Sequence, residues 1–265
     1  MTTVHTFASG SSGNALLLSW DGGRLLVDAG ISCRRITRNL EALGLTLGDI
    51  CALLITHTHS DHISGLQTLL KKSAFPVWAA DPAVLELKNR FPDFGNRFQS
   101  VPLCRKLPLN GCAVTAIPTS HDALGSCGYR FDTAAGSVGL LTDTGYVTPE
   151  AESLLPGTNL MILESNHDIE TLKSGPYPYF LQKRILGPHG HLSNEAAGRF
   201  AAALAKAGAA EIVLAHLSRE NNTPAMAQNA VCCALAAAGV KATLSVAPRD
   251  ERSGAYTARA AVRQG

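Results

Sequence analysis

The sequence predicts an α/β protein of two packed mixed β-sheets with helices on the outer faces, and three observations carry this. The first third is a series of short apolar stretches broken by Gly/Ser and Asp-Gly-Gly turns, the chemistry of β-hairpins. From Cys33 onward, helix-like and strand-like stretches alternate. The strand-like stretches outnumber what one flat sheet comfortably holds, so they divide between two.

In chain order, strands are expected at Val4 to Ala8, Ala15 to Trp20 and Arg24 to Asp28. A helix near Cys33 to Leu43 precedes a strand at Cys51 to Thr56, a helix near Ile63 to Lys72 and a strand at Pro76 to Ala79. Asp81-Pro82 reads as the N-cap and first residue of the next helix, where the missing proline N–H costs nothing. Further strands are expected at Ala113 to Pro118, Gly128 to Asp132, Val138 to Thr142, Leu160 to Glu164, Glu211 to Ala215 and Ala242 to Val246. The Ala-rich stretches Asn194 to Ala207 and Pro224 to Ala238 are helices by propensity. No linker rich in Pro, Ser or charge interrupts this order, so residues 1–265 are expected to form a single domain, with the order of the tail after about residue 254 left open.

Two internal echoes bear on how the sheets meet. Leu25-Leu26-Val27-Asp28-Ala29-Gly30 recurs as Leu140-Leu141-Thr142-Asp143-Thr144-Gly145, each a strand ending in Asp and a Gly turn. His57 and His216 both sit just past apolar strands. Two β-rich halves set face to face would gather these ends around one cleft; for so short a repeat, coincidence is the alternative.

With 46% hydrophobic residues among 265, the chain can bury a sizeable core without disulfides. Its 23 Lys+Arg against 21 Asp+Glu give a formal charge of +2, too balanced to coat nucleic acid or membrane wholesale, so any anion must be met locally. Seven cysteines, irregularly spaced and without a CxxC pair, exclude a disulfide framework or zinc ribbon and suit the reduced thiols of a cytoplasm. No leader pattern and no membrane-length apolar run is present, so neither secretion nor membrane insertion is expected and the expected location is cytoplasmic.

The expected strand through Thr56 runs straight into His57-Thr58-His59-Ser60-Asp61-His62. In extended backbone, residues two apart point the same way, so His57 and His59 can share one metal while Asp61 and His62 reach toward a second. Other strand ends offer His121, Asp143 and His216. Assigned by role, His57, His59 and His121 form one site, Asp61, His62 and His216 the other, and Asp143 bridges. Taken singly, His121 and His216 could be ordinary hydrogen-bonded histidines and Asp143 could merely satisfy its turn. Imidazole and carboxylate without thiolate suit two divalent ions, zinc or manganese with iron possible, and argue against a purely structural zinc. Asp61 and Asp143 set two negative charges against four positive; a bridging hydroxide leaves one positive charge, which invites an anion. Hydrolysis is the expected reaction, with the metal-bound hydroxide as nucleophile and Asp61 orienting it. Asp28 is read as structural, and His5 as a packing or surface residue.

Several segments could meet a substrate. The run from Ser9 through Ser11 and Ser12 to Asn14 could present N–H groups to an anion or be a flexible hairpin loop. Arg34, Arg35 and Arg38, at helical spacing, are either phosphate clamps or a solvated helix face; Lys183 and Arg184 are a weaker second pair. His167 and His191 lie in polar segments where an imidazole is expected to be solvent-accessible, and one of them is the general-acid candidate. The alternative is a histidine ordering its own loop through Asp168 or Ser193. His189 is less favoured. Tyr177, Tyr179 and Phe180 would either stack on a base or pack as core or lid.

With those residues in view, the chain resembles the metallo-β-lactamase-fold hydrolases, and among them the YycJ/WalJ-like exonucleases. The resemblance runs through Ser9-Gly10-Ser11-Ser12-Gly13-Asn14, Asp28-Ala29-Gly30, the HxHxDH cluster, Ser120-His121-Asp122, Thr142-Asp143-Thr144-Gly145, Glu164-Ser165-Asn166-His167-Asp168, Gly190-His191-Leu192-Ser193-Asn194 and the stretch from Ala215 to Asn222. It implies an αββα sandwich with a dinuclear site at the strand ends, and a 5′-to-3′ exonuclease on double-stranded DNA, with manganese or zinc, in DNA repair. Polarity and strandedness rest on the resemblance alone. His62 follows the motif Asp, a histidine that true β-lactamases of this fold usually lack and that the nucleases and thioesterases have. The chain lacks the large inserted domain of RNA-processing nucleases and the Gly/Pro-rich arm of tRNA 3′-end processing relatives, which disfavours structured RNA. Two other classes stand beside this one. A dinuclear hydrolase of a thioester, lactone or cyclic phosphodiester would have a closed apolar pocket, whereas an open groove with Arg34 and Arg35 on its rim favours a polymer. A metal-stabilised scaffold protein would need its open coordination position blocked.

Overall fold

Alternation along the strands assigns the layers. In the computed structural model, which describes residues 1–259, β1 (Thr2–Ala8), β2 (Ala15–Trp20) and β3 (Gly23–Val27) form an antiparallel meander. Parallel strands β4 (Ala52–Leu54), β5 (Val77–Ala79) and β6 (Phe98–Ser100) continue the sheet. The second sheet repeats this plan: antiparallel β7 (Lys106–Leu109), β8 (Cys112–Pro118), β9 (Cys127–Thr133) and β10 (Gly136–Leu141), then parallel β11 (Leu160–Glu164), β12 (Glu211–Ala215) and β13 (Thr243–Val246). The chain then returns to lay β14 (Tyr256–Ala258) against β1 on the outer edge of the first sheet.

Because neighbouring side chains on a strand face opposite ways, Leu16, Leu18, Leu25 and Val27 enter the core between the sheets, where they meet Val114, Phe131, Leu140 and Ile162. Leu17 and Leu26 face outward, under α1 (Cys33–Glu41), α2 (Ser60–Ile63), α3 (Leu66–Lys72) and α4 (Asp81–Arg90), which supply Ile36, Leu40, Leu69 and Leu87. Each such fully buried side chain contributes roughly 1.5–3 kcal/mol of transfer free energy. On the other outer face, α5 (Pro149–Leu154), α8 (Asn194–Lys206) and α9 (Pro224–Ala237) cover Leu141, Leu163 and Leu214. Between α5 and α8 run α6 (Ile169–Ser174) and α7 (Tyr179–Leu186). The expected αββα sandwich is the observed one.

Each sheet changes from antiparallel to parallel at one strand, β3 in the first and β10 in the second. Asp28 and Asp143 follow these two strands in the same left-handed conformation, φ 61° and 59°. The six-residue echo is therefore a topological correspondence. The echo of His57 in His216 is not: β4 and β11 are the first parallel neighbours of β3 and β10, whereas His216 follows β12, one strand further on. The position matching His57 lies at the end of β11, next to Glu164.

Three strands were not expected, β6, β7 and β14, and all three are sheet edges. An edge strand pairs on one side only and needs little apolar sequence; Pro108 inside β7 is tolerated for the same reason. β14 shows that residues 256–258 are ordered against β1, while 260–265 lie outside the described residues. The helix expected near 63–72 is α3, which starts after Gly65, whose N–H donates to the Ala29 carbonyl oxygen at 2.8 Å and whose missing Cβ leaves room for the Ile31 carbonyl; the short α2 before it was not expected. Ala80, not Asp81, caps α4, so Pro82 is its second residue, still among the unpaired N–H positions of the first turn. No helix among the described residues is long and apolar enough to cross a membrane.

Candidate metal centre

The strand ends on one side of the sandwich carry the chemistry. After β4 the chain stays buried through Ile55 and Thr56 to His57; His59 then caps α2, which places Asp61 and His62 on its first turn. The two sheets are stitched at this level by the Tyr129 hydroxyl donating to the Ile55 carbonyl oxygen (2.6 Å) and the Cys127 N–H donating to that of Thr56 (3.0 Å). The turn after β3 clamps the loop from below: Ala29 N–H donates to His62 O, Asn14 N–H to Asp61 O and Gly30 N–H to Asn14 O, each at 2.8 Å. A Cβ at Gly30 would overlap the Asp61 carbonyl oxygen, so this approach requires glycine.

The structure brings His57, His59, Asp61, His62, His121, Asp143 and His216 together. Ring centroids of His57 lie 4.7 Å from His59, 4.0 Å from His62 and 5.0 Å from His121. His62 Nε2 is 3.4 Å from Asp143 Oδ2 and 3.5 Å from Asp61 Oδ2, and His216 Nε2 is 3.5 Å from Asp143 Oδ1. Ligand atoms of His57, His59 and His121 lie within 4.8 Å of one another, as do those of Asp61, His62 and His216, the two groupings assigned by role from the sequence. Asp143 joins His57 and His62 in one further group, and joins Glu164, His191 and His216 in another.

Outer partners fix how the rings point. His62 Nδ1 donates to Asp28 Oδ2 at 2.8 Å, and Asp28 also accepts from the Thr56 N–H at 2.8 Å. His121 Nδ1 donates to the Gly190 carbonyl oxygen at 3.1 Å. Glu164 Oε1 accepts from Nδ1 of His191 (2.7 Å) and of His216 (3.2 Å), while its Oε2 accepts the N–H groups of Thr144 (2.9 Å) and Leu192 (3.2 Å). With Nδ1 engaged, Nε2 of His62, His121 and His216 faces the centre, the arrangement that metal-ligating imidazoles adopt. Asp28 and Glu164 are the residues that sequence reasoning missed. In the sequence, Asp28 reads as a structural residue and Glu164 stands in its motif without a role. The available signal was an acid ending an otherwise apolar strand.

Burial and charge oppose each other throughout this cluster. Burial alone would lower His62, but the Asp143 and Asp28 carboxylates beside it hold it up at about 10. Burial is likewise outweighed at His216, which Asp143 and Glu164 raise well above the usual histidine value. His57 is pushed well below that value, by burial first and then by His62, and so is neutral, the form that binds a cation. Burial would raise Glu164, but His191 and His216 bring it down to about 2. Asp143 is held well below the carboxylate range by His216, His62 and His57 against the effect of burial.

The donor set fits divalent cations on an observation of its own. His57 Nε2, Asp143 Oδ2 and His216 Nε2 are buried and have no hydrogen-bond partner, and buried polar atoms are rarely left so. These clusters can hold one or two divalent ions. The charge count differs from the expected one. With Asp28 and Glu164 included, four carboxylates balance the four positive charges of two ions before any hydroxide is added. Counting these outer partners offsets the surplus expected from the ligands alone, so cationic side chains near the centre add to its attraction for an anion.

The remaining expected residues divide. His191 is 22% exposed at its side chain and lines the cleft beside the centre; His167 is 1% exposed, with neither ring nitrogen hydrogen-bonded, so its expected solvent access is corrected. The cause is backbone pairing: His167 bridges to Ser193, and its carbonyl oxygen accepts from the Asn194 N–H at 2.9 Å, which pulls the polar segment inside. Ser9 and Asn14 are buried and brace the centre, Ser9 Oγ accepting from the His216 N–H (2.9 Å) and Asn14 Nδ2 standing 3.0 Å from His62 Nε2. Ser11 lines the cleft, whereas Ser12 is exposed and reaches toward Asp250. Arg34 is exposed on α1 and Arg35 donates to the Asp250 carbonyl oxygen at 2.9 Å; neither lines the cleft, which corrects their reading as its clamps. The cleft is instead bordered by Tyr177, Arg184 and His189.

Residues 23–217 match the family model described as a β-lactamase superfamily domain. The chain is 36% identical over 227 residues to exodeoxyribonuclease YycJ of Bacillus anthracis, covering 84% of this chain and 85% of that protein. The chain belongs to the metallo-β-lactamase superfamily, in its YycJ/WalJ group. It is also 35% identical over 223 residues to exodeoxyribonuclease WalJ of Streptococcus pneumoniae, covering 83% of each. Among solved structures, the metallo-β-lactamase fold protein YhfI from Bacillus subtilis superposes with a TM-score of 0.71 at 16% identity, over 96% of this chain and 99% of that one. A diphosphatase from the PhnP family does so at 0.68 and 17%, over 98% and 99%. At these identities the two structures speak to the superfamily fold alone. Membership in the superfamily and the metal-capable clusters make this a metallo-hydrolase.

Proposed function

We propose that this single-domain metallo-hydrolase cleaves phosphodiester bonds in DNA as a 5′-to-3′ exonuclease on double strands, in the cytoplasm and in the service of DNA repair. The observation that carries the reading is the extent of likeness to two exodeoxyribonucleases, at 35–36% identity over more than four fifths of the chain, with HxHxDH, His121, Asp143 and His216 converging on one centre.

His57, His59 and His121 would hold one divalent ion, Asp61, His62 and His216 the other, and Asp143 would face both. When bound, zinc or manganese supplies Lewis acidity, lowering the pKa of water and balancing charge on the phosphoryl oxygens. Asp61 would orient the attacking water. The proton for the leaving oxygen is assigned to His191 Nε2, because Nδ1 is held by Glu164 and the ring reaches the cleft. His167, buried away from solvent, is not given that role.

A second reading, hydrolysis of a small molecule, is favoured by the size of the cleft cavity, about 250 Å³. The two separate in one experiment. Metal-loaded protein is incubated with end-labelled linear duplex, single strand, RNA and nicked circle, alongside His59→Ala. Loss of label from linear duplex, absent in the variant, is the expected result. Degradation of none of these, with turnover of a thioester or cyclic nucleotide, transfers the assignment to the second reading.

A further inference from the structure

We propose, resting on the nuclease reading and deepening it, that the cavity under α7 seats one nucleotide unit of the substrate and that Arg184 is its phosphate clamp, held ready by Asp122. The cavity opens beside His191, and Ser11, Ser218, Tyr177, Leu181 and Arg184 are among its lining residues.

Size, lining and charge agree. At about 250 Å³ the cavity falls just below drug-sized sites of roughly 300–1,000 Å³, which suits a single nucleotide and excludes a duplex. A lining that combines an aromatic ring and an aliphatic side chain with two serines offers both apolar and hydroxyl contacts, which suits a base with its sugar. With Asp28 and Glu164 counted, four carboxylates offset the formal charge of two divalent ions, so a cationic side chain beside the centre adds to the attraction for a phosphate. Arg184 is the cation that lines this cavity. Its Nε and Nη2 donate to Asp122 Oδ2 at 2.8 and 2.6 Å, and Asp122 Oδ1 stands 3.5 Å from His59 Nε2 and 3.6 Å from His121 Nε2. One carboxylate thus separates the guanidinium from the metal centre. A phosphate arriving there can accept from the same Nε and Nη2 groups that now donate to Asp122 Oδ2, and so competes with it for Arg184. The pair is largely exposed, 59% at Arg184 and 33% at Asp122, so exchanging one partner for another costs little.

The test uses full-length, metal-loaded protein as wild type, Arg184→Ala, Arg184→Lys and, as a control far from the cleft, Lys71→Ala. Two quantities are read: steady-state kinetics on end-labelled linear duplex, and calorimetric binding of deoxyadenosine 5′-monophosphate. Arg184→Ala is expected to raise KM roughly tenfold or more while kcat changes by less than about threefold, and to weaken monophosphate binding by a similar factor. Arg184→Lys falls between, since an ammonium keeps the charge but lacks the fork, and Lys71→Ala matches wild type. Unchanged KM and unchanged monophosphate affinity in Arg184→Ala overturn the clamp. Should wild type degrade no nucleic acid, the nuclease reading fails. The binding arm still decides the clamp: monophosphate bound by wild type and lost in Arg184→Ala upholds it, and equal affinity in the two overturns it.

Discussion

Asp28 Oδ2 accepts a hydrogen bond from His62 Nδ1 at 2.8 Å, although Asp28 directly follows β3 and His62 lies in α2, 34 positions on. The contact turns a turn-forming aspartate into the partner that sets one ring's tautomer and direction. Its counterpart Asp143, in the same backbone conformation at the same point of the other sheet, faces the centre itself.

Replacing Asp28 with Asn removes the charge while leaving the shape. Outer partners of metal-ligating histidines are typically worth 10- to 100-fold in metal affinity. Asp28→Asn is therefore expected to bind zinc or manganese roughly tenfold or more weakly, by equilibrium dialysis, with its far-UV circular dichroism unchanged. Wild-type affinity in the variant would return Asp28 to a purely structural role.

Proton donation by His191 predicts a dependence on the leaving group. His191→Ala is expected to lower kcat on DNA by about 10²–10⁴-fold, the usual worth of a positioned acid. A p-nitrophenyl phosphodiester, whose leaving group departs without a proton, should lose far less. Equal losses on both substrates would assign His191 to holding the centre together instead.

Gly30 is irreplaceable for a steric reason. Gly30→Ala must push its methyl into the Asp61 carbonyl, so the loop that carries Asp61 and His62 has to move. The expected cost is at the top of the roughly 1–3 kcal/mol of an overpacked site or above it, seen as a lower denaturation midpoint. Metal stoichiometry should fall with it. A variant as stable and as fully loaded as wild type would contradict the packing described.

The seven ligand candidates were legible because their signals are local: four lie in one HxHxDH run just past an apolar strand, and His121, Asp143 and His216 each follow another strand. The central strands were legible for a similar reason, as Leu25 to Val27 and Leu160 to Glu164 are buried on both faces and read as continuous apolar runs. Glu164 and Asp28 were missed because their partners, His191, His216 and His62, come from segments that only tertiary structure brings near. His167 was misjudged because a polar stretch is normally solvated, whereas here backbone pairing with Ser193 draws it inward. The edge strands β6 and β14 carry too few apolar residues for any periodicity to announce them.

Burial lowers His167 to about 4, with Glu164, His191, Glu195 and Asp168 as its charged neighbours. A histidine kept neutral in the fold but free to protonate when unfolded makes the unfolded chain bind more protons below pH 6.5. Stability from this group is therefore fully present above that pH, declines as pH falls, and stops declining near 4. Between pH 7.5 and 5, wild type should lose on the order of 2 kcal/mol more than His167→Asn in denaturant titrations of metal-saturated protein. Parallel pH profiles for the two proteins would place the imidazole in contact with solvent.

His57, His59, Asp61 and His62 belong to one sheet's strand ends, and His121, Asp143 and His216 to the other's. Any cation shared among them rivets the sandwich along its catalytic rim, since ligands that bind the folded chain alone raise its stability by mass action. Scarcity of metal in the surroundings would then be felt twice, as idle enzyme and as a chain whose two halves part more easily. Turnover of the protein itself becomes coupled to the supply of the ions it works with.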